Sequence, residues 1–150
     1  MPQSLSRIHI HLVFSTKNRQ PLIDDTIRTP LHRYMAGILK QLDCPAKEIN
    51  SVDDHVHALF DLCRTRSISD VVKDLKTASS KWIKTQSDAH KGFAWQTGYG
   101  AFAVSYSNIS GVRAYILNQR EHHRAKSFEE EFRQFLERHG IPFDERYVWD

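Results

Sequence analysis

Two segments of this chain, residues 7–14 and 55–62, alternate between apolar and other residues with a period of two. Their apolar members are Ile8, Ile10, Leu12 and Phe14 in the first, and Val56, Ala58, Phe60 and Leu62 in the second. Because strand side chains alternate between faces, each segment predicts a β-strand with one apolar face. Such a sheet must have its apolar face covered, and helices with an apolar stripe are the usual cover.

Two other segments carry apolar residues at helical spacing. The first follows Pro30, which suits the first turn of a helix, and the second follows Ser67, a residue type that caps helices. The two stripes contain Leu31, Tyr34, Met35, Ile38, Leu39 and Leu42, and Ile68, Val71, Val72, Leu75, Ala78, Trp82 and Ile83. Both segments predict amphipathic helices.

Two further strands are predicted, over residues 47–52 and within the segment WQTGYGAFAVS at 95–105. Glycine inside a strand is typical of a bulge, which we expect at Gly98 or Gly100. The polar segment TKNRQPLIDD at 16–25, between the first predicted strand and the first predicted helix, is predicted to be a loop.

The last third of the chain predicts two helices. Ser107 opens one that runs through residues 112–123, and Ser127 with Glu130 forms a capping box for the other, which ends at Gly140. The whole order predicts an α+β domain spanning 1–150. We expect a ferredoxin-like or RRM-like, mostly antiparallel sheet covered on one face by the two amphipathic helices.

The amino-acid composition excludes few classes of function. Lys plus Arg is 21 and Asp plus Glu is 18, a net charge of +3 that is compatible with nucleic acid without establishing it. Cys44 and Cys63 are too few and too far apart for a zinc motif or a disulfide framework, so reduced thiols are expected. The N-terminus has no signal-peptide pattern, no apolar run could cross a bilayer, and a cytoplasmic location is predicted.

His55 and His57 lie on the same face of their predicted strand, with Cα atoms about 6.5–7 Å apart. Two imidazoles at that spacing can hold one divalent ion, while Val56 fixes the strand in the core and leaves the histidines on the open face. Asp53 and Asp54 could orient an imidazole. On spacing alone, an ordinary polar strand face is the better interpretation.

His9 and His11 form a rival pair on the first strand. They share the face opposite Ile8 and Ile10, and all four histidines could line one surface if the two strands are neighbours. The spacing does not rank the two pairs. His9 and His11 could be a second metal pair, DNA contacts or plain surface residues, of which we prefer the last.

Tyr115 and Gln119 are four residues apart and therefore share one helix face, with His122 and His123 about one turn later. A tyrosine hydroxyl can attack phosphorus, and a phosphotyrosine conserves the energy of the phosphodiester bond. Gln119 could supply an oxygen ligand to the metal. The simpler interpretation is a half-buried aromatic residue beside a solvated glutamine.

Several of these motifs occur together in the order of one known family. The segments IHIHLVFSTKNRQPLI, HVH at 55–57, WQTGYGAFAVS, YILNQREHH at 115–123 and SFEEEFRQFLERHGIPFDERYVWD span most of the chain. Together they resemble the single-tyrosine HUH transposases of the insertion sequence 200/605 group. The resemblance implies a DNA transposase that cleaves and rejoins single-stranded DNA through a 5′-phosphotyrosine.

The resemblance also implies roles for individual residues. His55 and His57 match the metal ligands, and Tyr115 matches the nucleophile carried by a C-terminal helix. Gln119 matches the third ligand, where relatives associated with repeated extragenic palindromes usually carry asparagine, so an insertion-sequence enzyme is favoured. His9 and His11 match the first strand and not the metal motif.

The family usually uses Mg²⁺, whereas two imidazoles and an amide oxygen suit Mn²⁺ better. Similarity also implies a homodimer whose active sites are shared between chains, and a single-stranded DNA substrate with a hairpin near the element end. We expect phosphate contacts from basic residues of the first loop and the second helix, namely Lys17, Arg19, Lys73, Lys76 and Lys81. A domesticated or replication-type nickase and a non-catalytic nucleic-acid-binding module are the alternatives.

Overall fold

The fold is a four-stranded sheet with helices on both faces. A computed structural model describes residues 2–150, except for the side chains of His122 and Arg124. The strands are β1 (His9–Ser15), β2 (Ala46–Ser51), β3 (His55–Asp61) and β4 (Gly100–Val104). Their order across the sheet is β2-β3-β1-β4 and every neighbouring pair is antiparallel, which confirms the predicted ferredoxin-like arrangement.

Five helices connect and follow the strands: α1 (Arg28–Gln41), α2 (Ile68–Lys84), α3 (Ile109–Leu117), α4 (Gln119–Ala125) and α5 (Phe128–Arg138). Short 3₁₀ turns lie at Lys17–Arg19, Asp88–His90 and Tyr106–Asn108. Pro30 is in the first turn of α1, and the Ser67 hydroxyl accepts a hydrogen bond from the amide of Asp70, so both predicted helix starts are confirmed.

The strand register sorts the side chains as the alternation predicts. Ile10 lies opposite Phe60, and Phe14 lies opposite Val56. Helices α1 and α2 cover this face, and the resulting core includes Ile10, Leu12, Phe14, Leu31, Met35, Leu39, Val56, Ala58, Phe60, Val72 and Leu75.

The face that carries the histidines is also covered, so the expectation of an open face is wrong. Helix α5 is amphipathic, and it buries its apolar stripe against this side of β1 and β4. The contact forms a second, smaller core of Val13, Phe102, Phe128, Phe132 and Leu136. A sheet with one helical layer would leave these phenylalanines in water, which is why the last helix packs back onto the sheet.

The helix predicted to run through residues 112–123 is divided. Tyr106–Asn108 is a 3₁₀ turn, and Asn118, with φ −92° and ψ 22°, interrupts the helical path between α3 and α4. Tyr115 therefore lies in α3, and the last helix of the chain is α5. Ser127 caps α5 by accepting a hydrogen bond from the amide of Glu130 at 3.2 Å.

Gly100 has a packing role, and the predicted irregularity lies around Gly98. Between the Val13–Gly100 pair and the isolated Thr16–Trp95 bridge, the segment with Gly98 has two more residues than β1. The pairing of β1 with β4 continues without a shift from His9 opposite Val104 to Val13 opposite Gly100. A Cβ at Gly100 would lie 2.6 Å from Cε2 of Phe132, so the ring of α5 occupies the place of a side chain. Another register shift lies in β2, between Ala46 and Glu48.

Among the helices that the structure describes, none combines the length and apolar character that crossing a bilayer requires.

Replacing Gly100 by alanine tests whether α5 packs directly on β4. We expect the free energy of unfolding to fall by about 1–3 kcal/mol, because the added methyl displaces the Phe132 ring. Urea unfolding measures the loss. The matched control is Gly37→Ala in α1, where a Cβ meets nothing within 4 Å and stability should stay equal or rise. Equal stability of Gly100→Ala and wild type would contradict this packing.

Candidate active site

Asn50 positions α3 over the histidine face. Asn50 is paired with His57 across the β2–β3 ladder. Its Nδ2 donates to the carbonyl oxygens of Ile116 at 2.9 Å and Leu117 at 3.3 Å, at the C-terminal end of α3. Two carbonyls that the helix leaves unpaired are thereby satisfied. This anchor places the Tyr115 ring above that of His57, with their centroids 5.9 Å apart.

His55 is buried and oriented by its neighbour in sequence. Its Nδ1 lies 2.7 Å from Oδ1 of Asp54, so this ring nitrogen carries the proton and Nε2 points into the site. Burial lowers the pKa of His55, but the hydrogen bonds and charges of Asp54 and Glu131 outweigh it and raise the pKa overall. Asp54 therefore orients an imidazole as predicted, while Asp53 instead pairs with Arg28 at 2.7 Å.

His57 is fully buried and oriented by His11. Nδ1 of His57 lies 2.8 Å from Nε2 of His11. Burial lowers the pKa of His11 to about 3 and that of His57 to about 4, so both rings are neutral at neutral pH. The preferred interpretation of His9 and His11 as surface residues is wrong: they are 4% and 3% exposed, and Nδ1 of His9 lies 2.6 Å from Asp61.

Glu131 is the carboxylate on which the site converges. Its Oε1 lies 3.0 Å from Nε2 of His57 and 3.5 Å from Nε2 of His55. Burial raises the pKa of Glu131, but hydrogen bonds from His123, His55 and His57 outweigh it and hold the pKa far below the usual range. The carboxylate is therefore ionised.

The Tyr115 hydroxyl donates a hydrogen bond to the other carboxylate oxygen, Oε2 of Glu131. Burial, followed by the hydrogen bond and the charge of Glu131, raises the pKa of Tyr115 above its usual value. The hydroxyl therefore keeps its proton at neutral pH, and the group placed to receive that proton is Glu131.

His123 and Gln119 close the site from α4. Nε2 of His123 lies 2.9 Å from Nε2 of His55 and 3.4 Å from Oε1 of Glu131. Gln119 is buried; its Oε1 lies 3.2 Å from Nε2 of His123, and its Nε2 donates to the Tyr115 carbonyl at 3.1 Å. The structure thus brings the predicted residues Tyr115, His55, His57 and Gln119 together within one chain.

Sequence reasoning missed Glu131, although α5 carries a signal for it. Residues Phe128, Phe132 and Phe135 form an apolar stripe at helical spacing, and Glu131 occupies a position inside that stripe. A carboxylate there must be buried with partners, because an unpaired buried charge is too costly. His123 had a weaker signal, since it follows Gln119 by four residues and shares its helix face.

The four side chains His55, His57, His123 and Glu131 could hold a metal ion. Their ligand atoms all lie within 4.8 Å of one another. The donor set fits a divalent ion, because imidazole nitrogen and carboxylate oxygen are common ligands. The outward nitrogens of His55 and His57 contact Asp54 and His11, and the inner nitrogens face His123 and Glu131, where an ion could replace these hydrogen bonds.

The basic residues predicted to contact DNA are dispersed. Lys17 is exposed, and Arg19 pairs with Glu129 at 2.9 Å near the start of α5. Lys73 and Lys81 are exposed on α2, which lies on the sheet face opposite the histidines. Nζ of Lys76 donates to the carbonyl oxygens of residues 96, 97 and 98, at 2.9, 3.3 and 2.6 Å. The Lys76 ammonium thus serves to hold this loop.

Two adjoining clefts, of about 440 and 300 Å³, reach the site beside His123. Val52, Asp53 and His123 line both of them. The cationic side chains on their walls were not predicted as DNA contacts: Arg28, Arg120 and Lys126. Asp25, Asp53 and Asp54 line the same clefts, and Arg28 and Arg120 both pair with Asp25, so the walls beside the histidine cluster carry charges of both signs.

Comparison with known proteins identifies relatives of this chain. The sequence model of a family described as "Transposase IS200 like" matches residues 4–119. The ISDra2 transposase TnpA of Deinococcus radiodurans is 23% identical over 120 residues, covering 77% of this chain and 86% of that protein.

Two solved structures share the fold. The first, a Deinococcus radiodurans R1 protein described as a transposase, superposes with a TM-score of 0.62 at 24% identity, over 79% of this chain and 98% of that one. The second, a REP-associated tyrosine transposase bound to a REP hairpin, has a TM-score of 0.59 at 12% identity, over 82% and 74% of the two chains.

His11 and His57 are buried and His32 of α1 is half-buried, and the lowered pKa values of their rings predict that stability falls in mild acid. Burial lowers the pKa of His11 to about 3, and that of His32 and His57 to about 4. The unfolded chain therefore binds more protons below pH 6.5, and the free energy of unfolding should decrease as pH falls from 6.5 towards 4.5. The slope is up to about 1.4 kcal/mol per histidine for each pH unit.

Urea unfolding in the presence of a chelator at pH 6.5, 5.5 and 4.5 measures this slope. The raised pKa of His55 adds no slope there, because its contribution is already complete below pH 6.5. His32→Asn should reduce the slope by the contribution of one histidine, which is up to about 1.4 kcal/mol per pH unit. A free energy of unfolding that stays constant from pH 6.5 to 4.5 would show that these histidines are not neutral in the folded protein.

Proposed function

The chain belongs to the IS200-like transposase family, and on that premise we propose that it cleaves and rejoins single-stranded DNA at insertion-sequence ends, with Tyr115 as the nucleophile. The observation that carries this proposal is the shared contact with Glu131. The Tyr115 hydroxyl and Nε2 of His57 contact opposite oxygens of one buried carboxylate, which places a nucleophile beside a histidine cluster.

In the cleavage step, the Tyr115 oxygen attacks the phosphorus atom and a new O–P bond forms. The bond from phosphorus to the 3′ oxygen breaks, and the 3′ oxygen takes up a proton from water. The proton of Tyr115 passes to Oε2 of Glu131. The DNA is left joined to Tyr115 through its 5′ phosphate.

In the joining step, a DNA 3′-hydroxyl attacks the same phosphorus atom, its proton returns to the solvent, and the bond to Tyr115 breaks. The tyrosine oxygen regains its proton from Glu131 and the chain returns to its starting state. Because the phosphotyrosine conserves the energy of the phosphodiester, the two steps need no nucleotide cofactor.

His55 and His57 are proposed to hold a divalent ion, Mg²⁺ or Mn²⁺, with Gln119 as the predicted third ligand. Such an ion supplies polarisation of the scissile phosphate and stabilisation of the leaving oxygen. Asp54 and His11 support this role: Asp54 accepts the proton of Nδ1 of His55, and His11 holds the His57 ring with Nε2 towards the site.

The proposed substrate is a single strand with a hairpin near the element end. The relative solved with a REP hairpin bound supports DNA of this type. We propose that the strand enters through the clefts beside His123, where its phosphates would take the place of Asp25 and Asp53 as partners of Arg28 and Arg120. Lys126 would be a further phosphate contact. Lys17, Arg19, Lys73 and Lys81 remain proposed contacts to more distant phosphates of the hairpin.

A homodimer remains a proposal from the family resemblance. Its active sites need not be shared between chains, because Tyr115, His57 and Glu131 of one chain are already in contact. We propose that each chain supplies its own nucleophile and its own histidines.

Tyr115→Phe tests the nucleophile. The variant should form no covalent adduct with single-stranded DNA from the element end, because it lacks the attacking oxygen. Adducts are detected by denaturing gel electrophoresis with labelled DNA and a divalent metal. Tyr106→Phe is the matched control, since Tyr106 is 84% exposed, and it should form adducts as wild type does. An adduct with Tyr115→Phe would refute this proposal.

Mixing two inactive variants tests whether sites are shared. Tyr115→Phe retains the histidines, and His57→Ala retains the tyrosine. If each chain has its own complete site, a refolded mixture of the two stays inactive. Recovery of cleavage in the mixture would show that one chain provides the tyrosine to the histidines of another.

A further inference from the structure

Three segments contribute to the histidine cluster, and two of its members lie beyond the residues that match the family model. His55 and His57 come from β3, His123 from α4 and Glu131 from α5, whereas the match ends at residue 119. The part of the chain that follows the match therefore contributes directly to the proposed metal centre.

Four of the six distances among the ligand atoms are close to those between neighbouring ligands of one ion, and all six are within 4.8 Å. Nε2 of His55 lies 2.9 Å from Nε2 of His123, and Oε1 of Glu131 lies 3.0, 3.4 and 3.5 Å from Nε2 of His57, His123 and His55. Ligands bound at about 2.0–2.2 Å from one ion are separated from their neighbours by about 3 Å. The four atoms could therefore bind one ion with small adjustments.

Binding of an ion would replace the hydrogen bonds inside this cluster. Nε2 of His55 lies 2.9 Å from Nε2 of His123 and 3.5 Å from Oε1 of Glu131, so each of these contacts needs a proton on a ring nitrogen. A cation between the three atoms would bind the same nitrogen and oxygen lone pairs in place of those protons.

We propose that His123 and Glu131 join His55 and His57 as ligands of one transition-metal ion. The assignment deepens the function proposed above and rests on it for the use of the ion. Three imidazoles and one carboxylate favour a borderline ion such as Mn²⁺, Co²⁺ or Zn²⁺ over Mg²⁺, which prefers oxygen ligands.

The assignment gives Glu131 two contacts with different functions. Oε1 binds the ion, and Oε2 accepts the hydrogen bond of Tyr115, so one rigid carboxylate sets the distance between the nucleophile and the ion. Because Glu131 belongs to α5, binding of the ion also ties α5 to β3. Metal binding should therefore stabilise the packing of the C-terminal helix on the sheet.

Metal affinity tests the assignment without any DNA. Isothermal titration of metal-free protein with Mn²⁺ should show that Glu131→Gln and His123→Ala each weaken binding by about tenfold or more. Glu130→Gln is the matched control, because Glu130 is exposed on the same helix, and it should bind Mn²⁺ as wild type does. Wild type should also bind Mn²⁺ more tightly than Mg²⁺.

Pulsed electron paramagnetic resonance on Mn²⁺-loaded wild type provides a second readout that needs no variant. It should detect three coordinated imidazole nitrogens. Circular dichroism checks that each variant is folded. If Glu131→Gln does not fold, Glu131→Asp replaces it, because its carboxylate side chain is shorter by one methylene group. This variant should also lose at least about tenfold in Mn²⁺ affinity.

The assignment is overturned if a folded Glu131 or His123 variant loses less than tenfold in Mn²⁺ affinity, or if two or fewer imidazoles are bound. These results are distinguishable from failure of the proposed function. The function fails if wild type forms no adduct with element-end DNA, whereas metal affinity and the nitrogen count are measured without DNA.

Discussion

The buried carboxylate of Glu131 is the interaction on which the arrangement of this site depends. Removing an ionised carboxylate from water costs several kcal/mol unless charges and hydrogen bonds replace the solvent. Here the replacements come from the cluster itself: imidazole nitrogens face one oxygen and the Tyr115 hydroxyl binds the other. The sheet, α3 and α4 thus meet α5 at one group, and loss of any partner leaves the charge less well compensated.

Apolar packing determines where that carboxylate lies. The phenylalanines of α5 pack against Phe102 and Val13, and the absence of a side chain at Gly100 allows Phe132 to approach β4 closely. The C-terminal tail adds to this packing. Trp149 lies against Phe132, with ring centroids 6.0 Å apart, and Arg133 pairs with Glu145 at 2.7 Å. The apolar packing of α5 on the histidine face of the sheet therefore also places Glu131 beside His57.

Much of the fold could be predicted because it follows from local periodicity. Alternation assigned Ile10 and Val56 to one face and the four histidines to the other, and the observed strand order makes β1 and β3 neighbours. Periodicity describes the faces of one element, however, and does not say which element covers them. The contact of α5 with the histidine face joins residues that are far apart in the sequence: His57 and Glu131 are separated by 74 positions. No local sequence pattern contains such a contact.

The same limit explains the outcome for individual residues of the site. Tyr115 and Gln119 could be paired from their spacing on a helix, and family resemblance linked them to His55 and His57. The role of Lys76 could not be foreseen, because the carbonyl oxygens that bind it belong to a loop 20 or more residues away. His11 was misjudged for a related reason: its strand position was correct, but its burial depends on Phe135 and Tyr115, which approach from distant helices.

We propose Tyr115, held by Glu131, as the attacking group of this site. The most direct test of this proposal is to trap the covalent adduct between wild-type protein and single-stranded DNA, digest both components and locate the modified residue by tandem mass spectrometry. We expect a nucleotide attached through its 5′ phosphate to the peptide that contains Tyr115. A nucleotide attached to any other residue, such as the exposed Tyr106 or Tyr147, would contradict it.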